Sequence, residues 1–84
     1  LYTYQVSECL FKQNFFGIAY SNGSIIQNCT FIQNSEKGVY GMYGHLIGNT
    51  FLENSVGAEY YLSENRIIYL PTVIESNRFE NNVT

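Results

Sequence analysis

One phrase, Phe-x-x-Asn, is written four times in a chain of 84 residues: Phe11–Asn14, Phe31–Asn34, Phe51–Asn54 and Phe79–Asn82. The first two steps between the phenylalanines are equal and the third is longer. Other columns keep the same step. Five residues before each Phe stands an aliphatic: Val6, Ile26, Leu46, Ile74. Two residues before it stands Cys9, Cys29, Asn49 or Asn77. Six or seven residues after the first three come Gly17, Gly38 and Gly57, followed by Ile18, Val39 and Ala58. A period of this length belongs to solenoids, in which each coil buries its apolar side against its neighbours. A column then keeps one residue type because it stacks on itself. The spacing predicts coils centred on Phe11, Phe31, Phe51 and Phe79, in one segment over residues 1–84, with the longer third interval forming an insert near 62–71.

Residue usage selects the kind of solenoid. Tyr, Phe, Ile and Val, which favour strands, are abundant, whereas there are only two alanines and two lysines. The expectation is an all-β right-handed parallel β-helix of about four coils, itself a segment of a longer helix. A leucine-rich repeat competes, because Val6, Cys9, Phe11, Asn14 and Phe16 follow the L-x-x-L-x-L-x-x-N-x-L pattern. Its later coils depart from that pattern, and the return segments are poor in helix formers. In either frame Phe11, Phe31, Phe51 and Phe79 form an interior ladder. Asn49 and Asn77 read as an inward amide ladder. Asn14, Asn34, Asn54 and Asn82 read as corner residues, since asparagine tolerates the left-handed conformation and can bond free backbone groups.

These residues carry a resemblance. Asn-x-Phe-x-x-Asn followed by Gly and a small or branched residue, as in "NTFLENSVGA", resembles the repeat of the pectin-lyase-like superfamily of right-handed β-helices. The Phe-x-x-Asn phrase is also similar to repeats of polymorphic outer-membrane proteins and related adhesins, without the Gly-Gly-Ala-aliphatic phrase that accompanies it there. The resemblance implies a β-helix with inward asparagine and aliphatic ladders. It spans lyases, hydrolases, epimerases, adhesins and inert scaffolds, and so does not choose a function.

Chemistry is sparse in this sequence. The family's hydrolases use several aspartates, and all seven acids here are glutamates. Glu53 and Glu80 could be neighbours on adjacent coils, as a solvated pair. His45 is the single histidine and is expected to face outward. No catalytic residue, metal ligand or cofactor site is expected. Cys9 and Cys29 stand one coil apart. Stacked strands lie about 4.8 Å apart and disulfide Cα atoms about 4.4 to 6.8 Å, so both a bridge and two buried thiols remain open. Asn22, Asn28 and Asn82 begin N-x-[ST] glycosylation phrases. Tyr20, Tyr40, Tyr43, Tyr60, Tyr61 and Tyr69 could form an outward stripe that stacks on sugars or a partner.

Four basic residues and a net charge of −3 argue against nucleic acid. No apolar run approaches the roughly 20 residues of a membrane span, and no signal peptide is visible. The leading expectation is a non-enzymatic scaffold or surface-recognition module. Its partners would be the rest of a parent solenoid, neighbouring subunits or a glycan. Its place would be extracellular or at the cell surface, or else in a large intracellular assembly. One alternative is a piece of a polysaccharide lyase or hydrolase whose active site lies outside this segment; another is a leucine-rich-repeat recognition module.

Overall fold

The computed structural model describes residues 5–19, 24–41, 44–60 and 73–84. Each full coil has three short strands. The first sheet stacks β1 (Gln5–Ser7), β4 (Ser24–Gln27), β7 (Gly44–Ile47) and β10 (Val73–Glu75). The second stacks β2 (Leu10–Lys12), β5 (Thr30–Ile32), β8 (Thr50–Leu52) and β11 (Arg78–Glu80). The third stacks β3 (Phe16–Ala19), β6 (Lys37–Gly41) and β9 (Val56–Tyr60). Every pairing is parallel. The chain therefore winds as a right-handed parallel β-helix, the hand that parallel crossovers take. The leucine-rich-repeat alternative fails, because it expects one strand per coil with a helical or extended return. The insert near 62–71 lies outside the described residues.

The register explains the repeated columns. Phe11, Phe31, Phe51 and Phe79 are direct partners along the second sheet. Their rings stack with centroids 4.9, 4.9 and 4.7 Å apart, which is the spacing of the strands themselves. Val6, Ile26, Leu46 and Ile74 are partners along the first sheet. The core closes on Ile26, Cys29, Phe31, Val39, Leu46 and Phe51.

The third sheet carries one irregularity, a bulge. Lys37 pairs with Phe16 on one side and Val56 on the other. Counted from the phenylalanine of its own coil, it therefore stands one position later than its partner in the coil before and its partner in the coil after. The additional residue is Glu36. Its N–H and that of Lys37 both donate to the Phe15 carbonyl, at 2.8 and 3.3 Å. This is why glycine follows Phe31 by seven residues and Phe11 and Phe51 by six. Alternation is broken here as well, with Gly38 and Val39 both buried. A Cβ on Gly38 would lie 2.4 Å from the Gly57 carbonyl oxygen and 3.0 Å from the Phe51 ring, so only glycine fits between sheet and ladder.

Phe31 is 0% exposed and stacks on a ring from each side. Phe31→Ala is expected to destabilise the fold by about 3 to 5 kcal/mol. Urea denaturation would measure it; a loss below about 1 kcal/mol would contradict the ladder's contribution.

Candidate functional site

The polar interior is built at two corners of each coil, both with the same grammar. An inward apolar residue is followed by an outward one, then a left-handed one, then an inward Asn or Cys. The left-handed columns are Glu8, Asn28, Gly48, Ser76 and Gln13, Gln33, Glu53, Asn81, with φ between 54° and 65°. This corrects the expectation for Asn14, Asn34, Asn54 and Asn82. They stand in the corner, but the residue before each takes the left-handed conformation. That residue reverses the backbone, which turns the next side chain inward and leaves two backbone groups without a strand partner.

The asparagine amides bond those groups. The Asn14, Asn34 and Asn54 N–H groups donate to Oδ1 of Asn34, Asn54 and Asn82 at 3.0, 2.9 and 2.9 Å. In return Nδ2 of Asn34, Asn54 and Asn82 donates to the carbonyls of Phe11, Phe31 and Phe51. At the other corner the Cys29 and Asn49 N–H groups donate to Oδ1 of Asn49 and Asn77, both at 2.9 Å. Asn49 and Asn77 Nδ2 donate to the Ile26 and Leu46 carbonyls, both at 2.8 Å. Asn34, Asn49 and Asn54 are each 1% exposed, so leaving these groups unpaired would be costly.

Cysteine fills the second amide column in the first two coils. Cys9 and Cys29 are both free thiols. The Cys29 thiol faces the Val6 and Gln27 carbonyls at 3.7 and 3.3 Å, a weak substitute for the amide. Burial pushes its thiol above the ordinary cysteine value. Cys9, at the outer edge of the first coil, is exposed.

Among the described residues the titratable groups do not converge. Gln33 Nε2 donates to Glu53 at 2.9 Å, and Arg78 holds both oxygens of Glu80 at 2.9 Å. Leu52, not Glu53, is the register partner of Glu80. His45 stands between Ile25 and Val73 in the first sheet, half-buried. Among the described residues no three His, Cys, Asp or Glu side chains group as metal ligands, and no helix is long and apolar enough to cross a membrane.

Two surface features stand out. On the outside of the third sheet, Phe15 is 67% exposed and stacks on Phe16 at 5.2 Å. Phe16 meets Tyr40 edge-on at 5.7 Å. Lys37 Nζ lies 5.8 and 5.1 Å from the Phe16 and Tyr40 centroids and pairs with Glu59 at 3.3 Å. Of the tyrosines expected in an outward stripe, Tyr40 and Tyr60 are among the described residues, and these two do not share a column. Tyr60 pairs with buried Gly41, one residue out of phase with Tyr40, and packs against the core. Tyr20, Tyr43, Tyr61 and Tyr69 lie outside the described residues. The second feature is the face of the last coil, where Ile74 is 57% and Phe79 51% exposed. Beside it, an open cleft of about 290 Å³ is lined by Ala58, Phe79, Asn81, Asn82, Val83 and Thr84.

Of the glycosylation phrases, Asn28 sits exposed on a left-handed corner. Asn82 uses its Nδ2 in the ladder, and Asn22 lies outside the described residues. No family model, no curated protein and no solved structure matches the chain.

The amides and the thiols can each be tested. Asn54→Ala would strip the Phe31 carbonyl and the Asn34 N–H of their partners and is expected to cost about 3 kcal/mol or more, measured by urea denaturation; a cost near that of a surface substitution would refute it. Cys9 should be alkylated at least about a hundredfold faster than Cys29. Because the folded Cys29 thiol is raised, the unfolded thiol ionises first. Its contribution to stability is full below about pH 8.5 and declines as pH rises above that value. Denaturation from pH 7 to 10, compared with Cys29→Ala, should show the decline in the parent only.

Proposed function

We propose that this chain is a non-enzymatic β-helix scaffold and surface-recognition module, acting as part of a larger protein or assembly. The observation that carries the reading is the use of the interior. The asparagine amides buried there bond backbone groups of the neighbouring coil, and the carboxylates Glu53, Glu59 and Glu80 are tied to surface partners. Among the described residues such an interior holds the backbone in register, and its amide groups are already bonded to the backbone. Recognition therefore belongs to the outside of the coils. The Phe15–Phe16–Tyr40 patch supports a carbohydrate ligand: flat rings for the apolar face of a sugar, with Lys37 and Glu59 beside them for its hydroxyls. An extracellular or cell-surface setting suits such a ligand.

The test has two arms. Incubation with acidic polysaccharides and calcium should release neither unsaturated products nor reducing ends; turnover would overturn the scaffold reading. Titration with a panel of neutral and acidic oligosaccharides, followed by NMR, should perturb Phe15 and Tyr40. Phe15→Ala should weaken binding about tenfold while leaving the thermal midpoint nearly unchanged, since the ring is exposed. Binding indifferent to this substitution would remove the patch from the proposal.

A further inference from the structure

We propose that Cys9 and Cys29 form a reversible disulfide that fastens the first two coils when the protein meets a disulfide oxidant such as glutathione disulfide. The proposal concerns the redox state of the chain and stands apart from the carbohydrate reading.

The fold places the pair. The Thr30 N–H donates to the Cys9 carbonyl at 2.9 Å, and Leu10 is the register partner of Thr30. Cys9 and Cys29 therefore stand side by side on neighbouring coils, about 4.8 Å apart, within the roughly 4.4 to 6.8 Å that a bridge spans. Lower in the same column, Asn49 and Asn77 touch side chain to side chain at 3.1 Å. The Cys29 sulfur leans across the seam. It lies 3.3 Å from the Gln27 carbonyl oxygen of its own coil and 3.7 Å from the Val6 carbonyl oxygen of the first. The Cys9 sulfur lies 3.3 Å from the Ser7 carbonyl oxygen, and both the N–H and the thiol of Cys9 act on the Cys29 thiol.

This rung is also the weakest place in the polar interior. Every other rung at the two corners ends in an asparagine oxygen that accepts an N–H from the coil before. A thiol offers no such oxygen, so a covalent bond here replaces the poorest fastening. The same seam carries the outer rings, with Phe16 of the first coil against Tyr40 and Lys37 of the second. Side chains that leave parallel strands in one direction must twist to meet. The bond is therefore strained and readily reduced, as a reversible one must be.

The exchange runs in two steps. The exposed Cys9, as a thiolate, attacks one sulfur of glutathione disulfide. The bond between the two glutathiones breaks, and one leaves as a thiolate that takes up the proton Cys9 lost. Cys29 then gives up its proton and attacks the Cys9 sulfur, expelling the second glutathione. Two protein thiols are oxidised, and one glutathione disulfide is reduced to two glutathiones. Burial holds the Cys29 thiol above the ordinary cysteine value, so the second step is the slow one and quickens as pH rises.

Equilibration of the full chain in mixtures of glutathione and its disulfide, read by mass spectrometry and thiol titration, tests this. The expected product has lost two hydrogens, carries no glutathione and has no free thiol; dithiothreitol restores both thiols. At a fixed glutathione ratio, bridged over reduced chain should be at least about tenfold greater in the folded protein than in urea. The mixed disulfide on Cys9 should resolve about tenfold faster for each unit of pH near neutrality. Cys29→Ser should stop at that mixed disulfide. Should this variant fail to fold, the comparison with urea, made on the unaltered chain, still decides. A folded chain that stops at the mixed disulfide, that bridges only between chains, or that bridges no more readily than in urea overturns the proposal. None of these results touches the scaffold reading, which turnover of polysaccharide decides.

Discussion

The structure depends on how a buried corner satisfies its backbone. A coil this short must turn sharply, and each turn takes an N–H and a carbonyl out of the sheet's ladder while keeping them away from water. Water cannot serve them, and apolar side chains would leave both unpaired. A primary amide is the one neutral side chain with a donor and an acceptor in a short, flat group. Asn54 uses both ends, accepting from Asn34 and donating to the Phe31 carbonyl. Because its partners lie in the preceding coil, each asparagine fastens the coil before it. The ladder is a chain of such fastenings, and it sets the register on which the apolar stacks depend.

The apolar columns follow from that register. With coils fixed one strand spacing apart, a ring above a ring is the arrangement that fills the space, and centroid separations of 4.7 to 4.9 Å show the Phe column obeying it. The third sheet must approach the rings closely, which is why glycine is needed at Gly38. Changing one residue in such a column alters the packing of two coils. The sequence repeats for the same reason that the structure stacks.

Much of the fold was legible because stacking writes itself into the sequence. Phe31 above Phe51, Ile26 above Leu46 and three strands in each full coil all follow from matched columns and strand-forming returns. The left-handed columns were not legible, although they cause the corners. Glu8, Asn28, Gly48 and Ser76 share a backbone conformation and no side-chain chemistry, since their position looks outward and a column facing water need not repeat. In the sequence the repeated asparagine therefore stands out at a turn that its neighbour makes. The bulge at Glu36 left only a faint mark, a one-residue slip in the glycine spacing. The outer patch is hidden from the sequence for a related reason. Tyr40 and Tyr60 stand one period apart and look equivalent, but the bulge moves them out of phase and puts one outside and the other against the core. Phe15 carried no signal, because the same place in the next two coils is taken by Ser35 and Ser55.

The separation between inside and outside also bears on function. An active site needs a few groups held in strained or desolvated states that differ from their neighbours. A stacked interior works against this, since each buried side chain is copied one coil away and its polar atoms already have backbone partners. Where the column does vary, from Cys29 to Asn49, the change is between two groups that serve the same backbone position. Individuality is confined to the outside, where Phe15, Lys37, Glu59 and Lys12 have no counterparts in their columns. A ligand that distinguishes this protein from another coil of the same grammar must read those residues.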